Sequence, residues 1–143
     1  MIKGIDHLEV TVSDLDRSVD FYTRLMGFDE VIRFDAQVPG MSRISFLKLG
    51  ECMIELIEME ETKQGEDDPA VPGFKHLCLA VEDFESEVER LKAAGVEVKE
   101  DAHVLTGEHL RTVSSKVDLD MDKGLQRAVF ADPDGLAVEL LQW

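Results

Sequence analysis

Two histidines and two glutamates stand out in this chain because they come as matched sets. His7 and His76 are each followed by leucine, while Glu55 and Glu139 are each the lone carboxylate of an apolar run, Cys52-Met53-Ile54-Glu55-Leu56-Ile57 and Leu136-Ala137-Val138-Glu139-Leu140-Leu141. A carboxylate flanked in this way must be solvated, paired or bound to metal, because burying it alone costs far too much. Two imidazoles and two carboxylates suit one borderline divalent ion, and Zn, Ni, Co, Mn and Fe(II) all accept that set. Taken singly, each residue has an ordinary explanation: a strand histidine is usually hydrogen-bonded structure, and a strand glutamate usually faces solvent. The weight comes from both types recurring at matching places. His103 and His109 have no such match and keep the ordinary explanation.

The segments that must position these residues repeat at an offset of 69, with Ile5 to Asp14 matching Phe74 to Asp83. Both openings alternate as strands do: Leu8, Val10 and Val12 oppose His7, Glu9 and Thr11, and Leu77, Leu79 and Val81 oppose His76, Cys78 and Ala80. A helix is expected after each. Ser13, Asp14 and Asp83 are N-cap candidates, Leu15, Val19, Tyr22 and Met26 recur at helical spacing as do Phe84, Val88, Leu91 and Gly95, and Gly27 and Gly95 are natural stops. Strands are then expected near 29–36, 42–49 and 52–58, and again near 96–100, 126–132 and 136–142. The chain therefore reads as one α+β domain, 1–143, of two βαβββ modules: module one about 1–59, a Pro/Gly-containing acidic linker about 60–73, and module two about 74–143. The stretch 101–124 has no counterpart in the first module and is expected to be an added loop or hairpin.

Composition narrows the function. A formal charge of −16, from 31 acidic and 15 basic residues, excludes nucleic acid and anionic membrane surfaces as natural partners. No run approaches the ~18 consecutive apolar residues of a membrane span, and no secretory pattern opens the chain, so a cytoplasmic location is expected. Cys52 and Cys78 sit in no metal or redox spacing and read as reduced, buried thiols.

The run Asp6-His7-Leu8-Glu9-Val10-Thr11-Val12-Ser13-Asp14-Leu15-Asp16-Arg17-Ser18, with Phe21-Tyr22 and Leu25-Met26-Gly27-Phe28 after it, resembles the opening of the vicinal oxygen chelate superfamily. Its members include glyoxalase I, methylmalonyl-CoA epimerase, fosfomycin-resistance proteins and extradiol dioxygenases. Asp132 to Leu140 resembles the closing signature of the same group. The resemblance implies curved mixed sheets around a cleft, with His7, Glu55, His76 and Glu139 at the metal positions and modules that often pair across a homodimer.

That resemblance also implies chemistry. An ion held by four side chains keeps two adjacent positions for neighbouring oxygens of a small-molecule substrate and acts as a Lewis acid, while Glu139, Glu55 or both move a proton as base and acid. The expected activity is that of a glyoxalase-type lyase or isomerase. The rivals are an epimerase, an extradiol dioxygenase or a non-catalytic, antibiotic-sequestering module. Epimerases of the group usually carry glutamine where Glu55 stands, and oxygen-activating iron sites use one carboxylate, so the set leans toward glyoxalase I. Thr11 and Met59 replace the arginine and asparagine that glyoxalases commonly direct at glutathione. Arg111, Lys116, Lys123 and Arg127 are candidates for gripping a substrate carboxylate or phosphate.

Overall fold

The computed structural model describes residues 4–63, 72–105 and 124–143. The chain divides into two compact units, Met1–Asp68 and Pro69–Trp143, with the division inside the expected linker. In the first unit the order is β1 (Leu8–Val12), α1 (Leu15–Asp20) continuing into a π-helical turn (Phe21–Leu25), β2 (Asp29–Asp35), β3 (Met41–Leu49) and β4 (Cys52–Met59). The second unit has β5 (His76–Ala80), α2 (Phe84–Ala93), β6 (Val98–Leu105), β7 (Leu125–Ala131) and β8 (Ala137–Gln142). Both modules are βαβββ, as the repeat requires.

The two sheets have the same topology, β1-β4-β3-β2 and β5-β8-β7-β6, each mixed and unclosed. In both, the first strand lies parallel to the last and the remaining pairs are antiparallel. The register is also the same: Glu9 pairs with Glu55 in one sheet, and Cys78, its counterpart, pairs with Glu139 in the other.

Alternation assigns the faces. In the first unit Val10, Val12, Leu47, Ile54 and Leu56 are buried, and the helical segment covering them contributes Leu15, Val19, Phe21, Tyr22 and Met26. In the second, Phe84, Val88 and Leu91 of α2 are buried with Ala128, Phe130, Val138 and Leu140 of the strands beneath. Apolar residues three and four apart line one side of a helix, so this burial is the periodicity made physical. Asp14 caps α1, its carboxylate accepting from the Arg17 N–H at 3.0 Å, whereas Asp83 opens α2 without a side-chain cap. Gly27 and Gly95 follow the helices with φ of 78° and 77°, a region that favours glycine.

The helices meet their sheets in the same way. The Leu15 N–H donates to Glu58 Oε1 at 3.0 Å, and the Phe84 N–H donates to Gln142 Oε1 at 3.0 Å. A polar residue near the end of each last strand thus satisfies the first free amide of each helix.

Two expectations need correction. Cys52 and Cys78 are free thiols but exposed, because Cys52 opens β4 beside a turn and Cys78 lies on the sheet face away from the helix. Strand β6 runs to Leu105, past the expected end near 100, so residues 101–105 belong to the sheet. The rest of the expected loop, 106–123, lies outside the described residues. Among the described residues no helix is long and apolar enough to cross a membrane.

Candidate functional site

On the face away from the helix, each unit brings its histidine and glutamate together. His7 Nε2 lies 3.2 Å from Glu55 Oε2, and His76 Nε2 lies 3.2 Å from Glu139 Oε2. The cause is the shared register: the parallel pairing of first and last strands sets a histidine at the mouth of one strand beside a glutamate near the middle of the other. Both carboxylates are well shielded, with side chains 14% and 9% exposed. Each unit therefore holds one nitrogen and one oxygen donor side by side. Among the described residues no group of three His, Cys, Asp or Glu side chains clusters in a metal-holding arrangement.

The surroundings of the two pairs differ. His7 Nδ1 bonds to Asp6 Oδ1 at 2.8 Å, which raises the imidazole above its usual 6.5. Such a carboxylate on the far nitrogen orients a ring whose near nitrogen binds metal. Phe46 stands edge-on to His7 with centroids 5.4 Å apart, and Phe34 stacks on Phe46 at 6.4 Å.

In the second unit Lys75 takes the place of Asp6, and charge gathers on the carboxylate instead. Arg127 Nε donates to Glu139 Oε1 at 2.6 Å, and its Nη1 donates to Glu100 Oε1 at 3.0 Å. Burial pushes the Glu139 carboxyl up, but Arg127 and the Cys78 thiol outweigh it and hold the group below the usual carboxylate range. Cys78 is solvent-accessible, yet partial packing around its sulfur, then its bond to Glu139, push the thiol up to about 11. It is a protonated donor at neutral pH. His103 lies near this chain of charges, 3.5 Å from Glu100.

Of the expected anion-gripping residues, Arg127 is thus engaged with two carboxylates, and Arg111, Lys116 and Lys123 lie outside the described residues. Sequence reasoning passed over Asp6, Cys78 and Glu100. Asp6 adjoins His7 and could have been marked as its orienting partner; Glu100 carries no signal until β6 pairs with β7.

The glyoxalase/bleomycin resistance protein/dioxygenase superfamily model matches residues 4–140. The chain belongs to this superfamily. A glyoxalase family protein from Enterococcus faecalis has the same fold, with a TM-score of 0.75, 25% identity and 97% of each chain covered. A probable lactoylglutathione lyase of Vibrio parahaemolyticus is 27% identical over 138 residues, 95% of this chain and 88% of that protein. The fosfomycin resistance protein FosX of Listeria monocytogenes is 23% identical over 110 residues, 76% of this chain and 77% of that protein. The duplicated α+β architecture is that of this superfamily, whose members commonly use a divalent metal and bind small molecules.

Proposed function

We propose that this superfamily member is a divalent-metal-dependent lyase or isomerase of glyoxalase type, which moves a proton next to a carbonyl of a small α-oxygenated substrate. The reading is carried by the identical placement of His7 with Glu55 and of His76 with Glu139, 3.2 Å apart in each unit. Donors bound at about 2.1 Å to one ion stand ~3.0 Å apart at a right angle and ~3.4 Å apart in a tetrahedron, so each pair fits one edge of a coordination shell. The Asp6 bond to His7 supports the same reading. Both pairs together would hold one ion, whether the units belong to one chain or to two copies in a homodimer, and N₂O₂ donors admit Zn, Ni, Co, Mn or Fe(II).

Such an ion would supply Lewis-acid polarisation of the substrate carbonyl. The chain's own residues do the rest. Glu55 or Glu139 takes the proton from carbon and returns it to a neighbouring atom. Phe46 and Phe34 offer an apolar wall beside His7. Arg111, Lys116 and Lys123 are the residues left to grip an anionic group of the substrate. The lyase-named relative supports this class of reaction; Thr11 and Met59 argue for a substrate other than a glutathione adduct. A cytoplasmic location belongs to the same proposal.

The test is metal analysis of the purified protein, followed by assay of its Ni-, Co-, Zn-, Mn- and Fe-loaded forms against hemithioacetals and acyl-CoA thioesters in deuterated water. Stoichiometric metal and deuterium uptake at carbon are expected. Failure to take up metal after reconstitution at near-neutral pH would remove the reading, and oxygen consumption by the Fe(II) form would redirect it to dioxygenation.

A further inference from the structure

The outer strands of the two sheets differ at matching rungs. In the first unit Ile32 pairs with Phe46 and Phe34 with Ile44; in the second Glu100 pairs with Val129 and His103 with Arg127. Phe46 stands across from Glu55 as Val129 does from Glu139, so Glu100 and His103 occupy the places of Ile32 and Phe34. Residues paired across a ladder share a face, which puts Glu100 and His103 on the face that carries His76 and Glu139. Where the first unit presents an apolar pair, 53% and 43% exposed, the second presents a carboxylate and an imidazole.

Hydrogen bonds decide what that second pair offers. Glu100 Oε1 accepts from Arg127 Nη1 at 3.0 Å, and Arg127 Nε donates to Glu139, so Glu100 stands one guanidinium beyond the candidate ligand. The single positive charge of Arg127 is shared between two carboxylates. His103 Nδ1 lies 3.1 Å from the Asp101 carbonyl oxygen and 3.5 Å from Glu100 Oε1. Both are acceptors, so Nδ1 carries the hydrogen, and in the neutral ring Nε2 keeps its lone pair. Among the described residues neither His103 Nε2 nor Glu100 Oε2 has a hydrogen-bond partner. The two atoms left over are both acceptors.

We propose that Glu100 and His103 are specificity residues: they form a hydrogen-bond-accepting subsite beside the metal centre and select substrates whose far end carries a donor, an ammonium or a hydroxyl, over those ending there in a carboxylate. The proposal rests on the metal-centre reading above and deepens it, by naming the chemical class of the substrate's remote group. An ammonium gains charge-assisted bonds to Glu100 and His103, and a hydroxyl gains a neutral bond to either. A carboxylate meets two lone pairs and an excess of negative charge, because Arg127 is engaged at both ends and has no charge to offer it.

Calorimetric binding to the zinc-loaded, full-length protein tests the subsite. The probes are hydroxamic acids, whose two neighbouring oxygens chelate a metal, ending in a methyl, ammonium, hydroxyl or carboxylate group on short and longer alkyl chains, since Glu100 lies beyond Glu139. At the better length the ammonium probe is expected to bind on the order of tenfold more tightly than the carboxylate probe, with the hydroxyl probe between them. E100Q should bring the ammonium advantage down to that of the hydroxyl, and H103L should remove the hydroxyl advantage over the methyl probe. His103→Gln, which keeps an acceptor, should retain part of it. E89Q removes the same charge from the exposed side of α2 and should leave the preferences unchanged, which separates the subsite from the general field of an acidic protein. Only ratios between probes are read, so a variant that merely loosens the fold lowers every affinity alike. A wild type that binds the carboxylate probe as tightly as the ammonium probe would overturn this inference while the metal centre stands. So would preferences that survive both E100Q and H103L, or that E89Q reduces equally. Should a variant not fold by circular dichroism, the wild-type ordering alone still decides. A wild type to which the methyl probe does not bind in the presence of zinc would overturn the metal centre and this inference with it.

Discussion

Glu58 and Gln142 hold the same post in the two halves of the molecule: each lies near the end of its last strand and accepts a hydrogen bond, 3.0 Å long, from the first backbone amide of the helix packed on its sheet. Glu58 does more than Gln142. It also accepts from Arg43 Nε at 2.8 Å and Arg43 Nη2 at 2.9 Å, so it ties β4 to β3 as well as to α1.

Gln142→Ala is therefore expected to cost about 1 kcal/mol, the usual worth of a helix-cap bond. Glu58→Ala should cost more, about 2 kcal/mol, because it removes the cap and also two of the charge-assisted bonds of Arg43, which keeps its bond to Asp16. Urea unfolding of the two variants measures the difference; equal costs would deny Glu58 its second role.

The charge on Glu58 gives the fold an acid limit. Hydrogen bonds from Arg43, helped by the Leu15 amide and opposed by burial, hold its carboxyl below the usual 4.5. A depressed folded value means that this stabilisation is fully present above the unfolded value and is lost as pH falls through the folded one. Glu58→Gln keeps the cap acceptor, as Gln142 does, and loses the charge. The stability gap between wild type and Glu58→Gln should thus narrow as pH falls below the usual carboxylate value of 4.5. A gap that stays constant over that range would show that the Glu58 charge contributes nothing.

Ser18 is fully buried in α1, and among the described residues its Oγ is the buried side-chain oxygen without a hydrogen-bond partner. An unsatisfied hydroxyl in an apolar setting is costly, and alanine is the better helix former. Ser18→Ala is expected to stabilise the protein by about 0.5 to 1 kcal/mol, read as a rise in the urea midpoint with unchanged slope. A loss of stability would reveal a partner for the hydroxyl.

The proposed metal centre also predicts a linkage effect. A ligand that binds only the folded state at 100 times its Kd adds about 2.7 kcal/mol, so zinc should raise the Tm and a chelator should reverse the rise. His7→Ala and His76→Ala should each abolish most of the increase at the same zinc concentration. An increase untouched by either substitution would place the ion elsewhere.

Much of this was legible in the sequence because it depends on local periodicity. Alternation along Leu8 to Val12 and Leu77 to Val81, helical spacing from Leu15 to Met26, and Gly27 and Gly95 at the helix ends are dictated within a few residues, and the repeat tells the reader that both halves solve one problem. The lone glutamates in apolar strands were visible for the same reason. The end of β6 was misread because Asp101 to Leu105 mixes polar and apolar residues across register shifts, which blurs the alternation that marks a strand.

What only tertiary structure decided is which distant side chains meet. No local pattern says that β1 lies parallel to β4 and β5 to β8, yet that pairing brings His7 to Glu55 and His76 to Glu139. Nor does spacing reveal that Arg127 faces Glu139 while Ile44 occupies the matching place near Glu55. The residue types are fixed by sequence and the strand faces by alternation. Partners across a sheet follow from register, which is set by long-range backbone hydrogen bonding and by how each face packs.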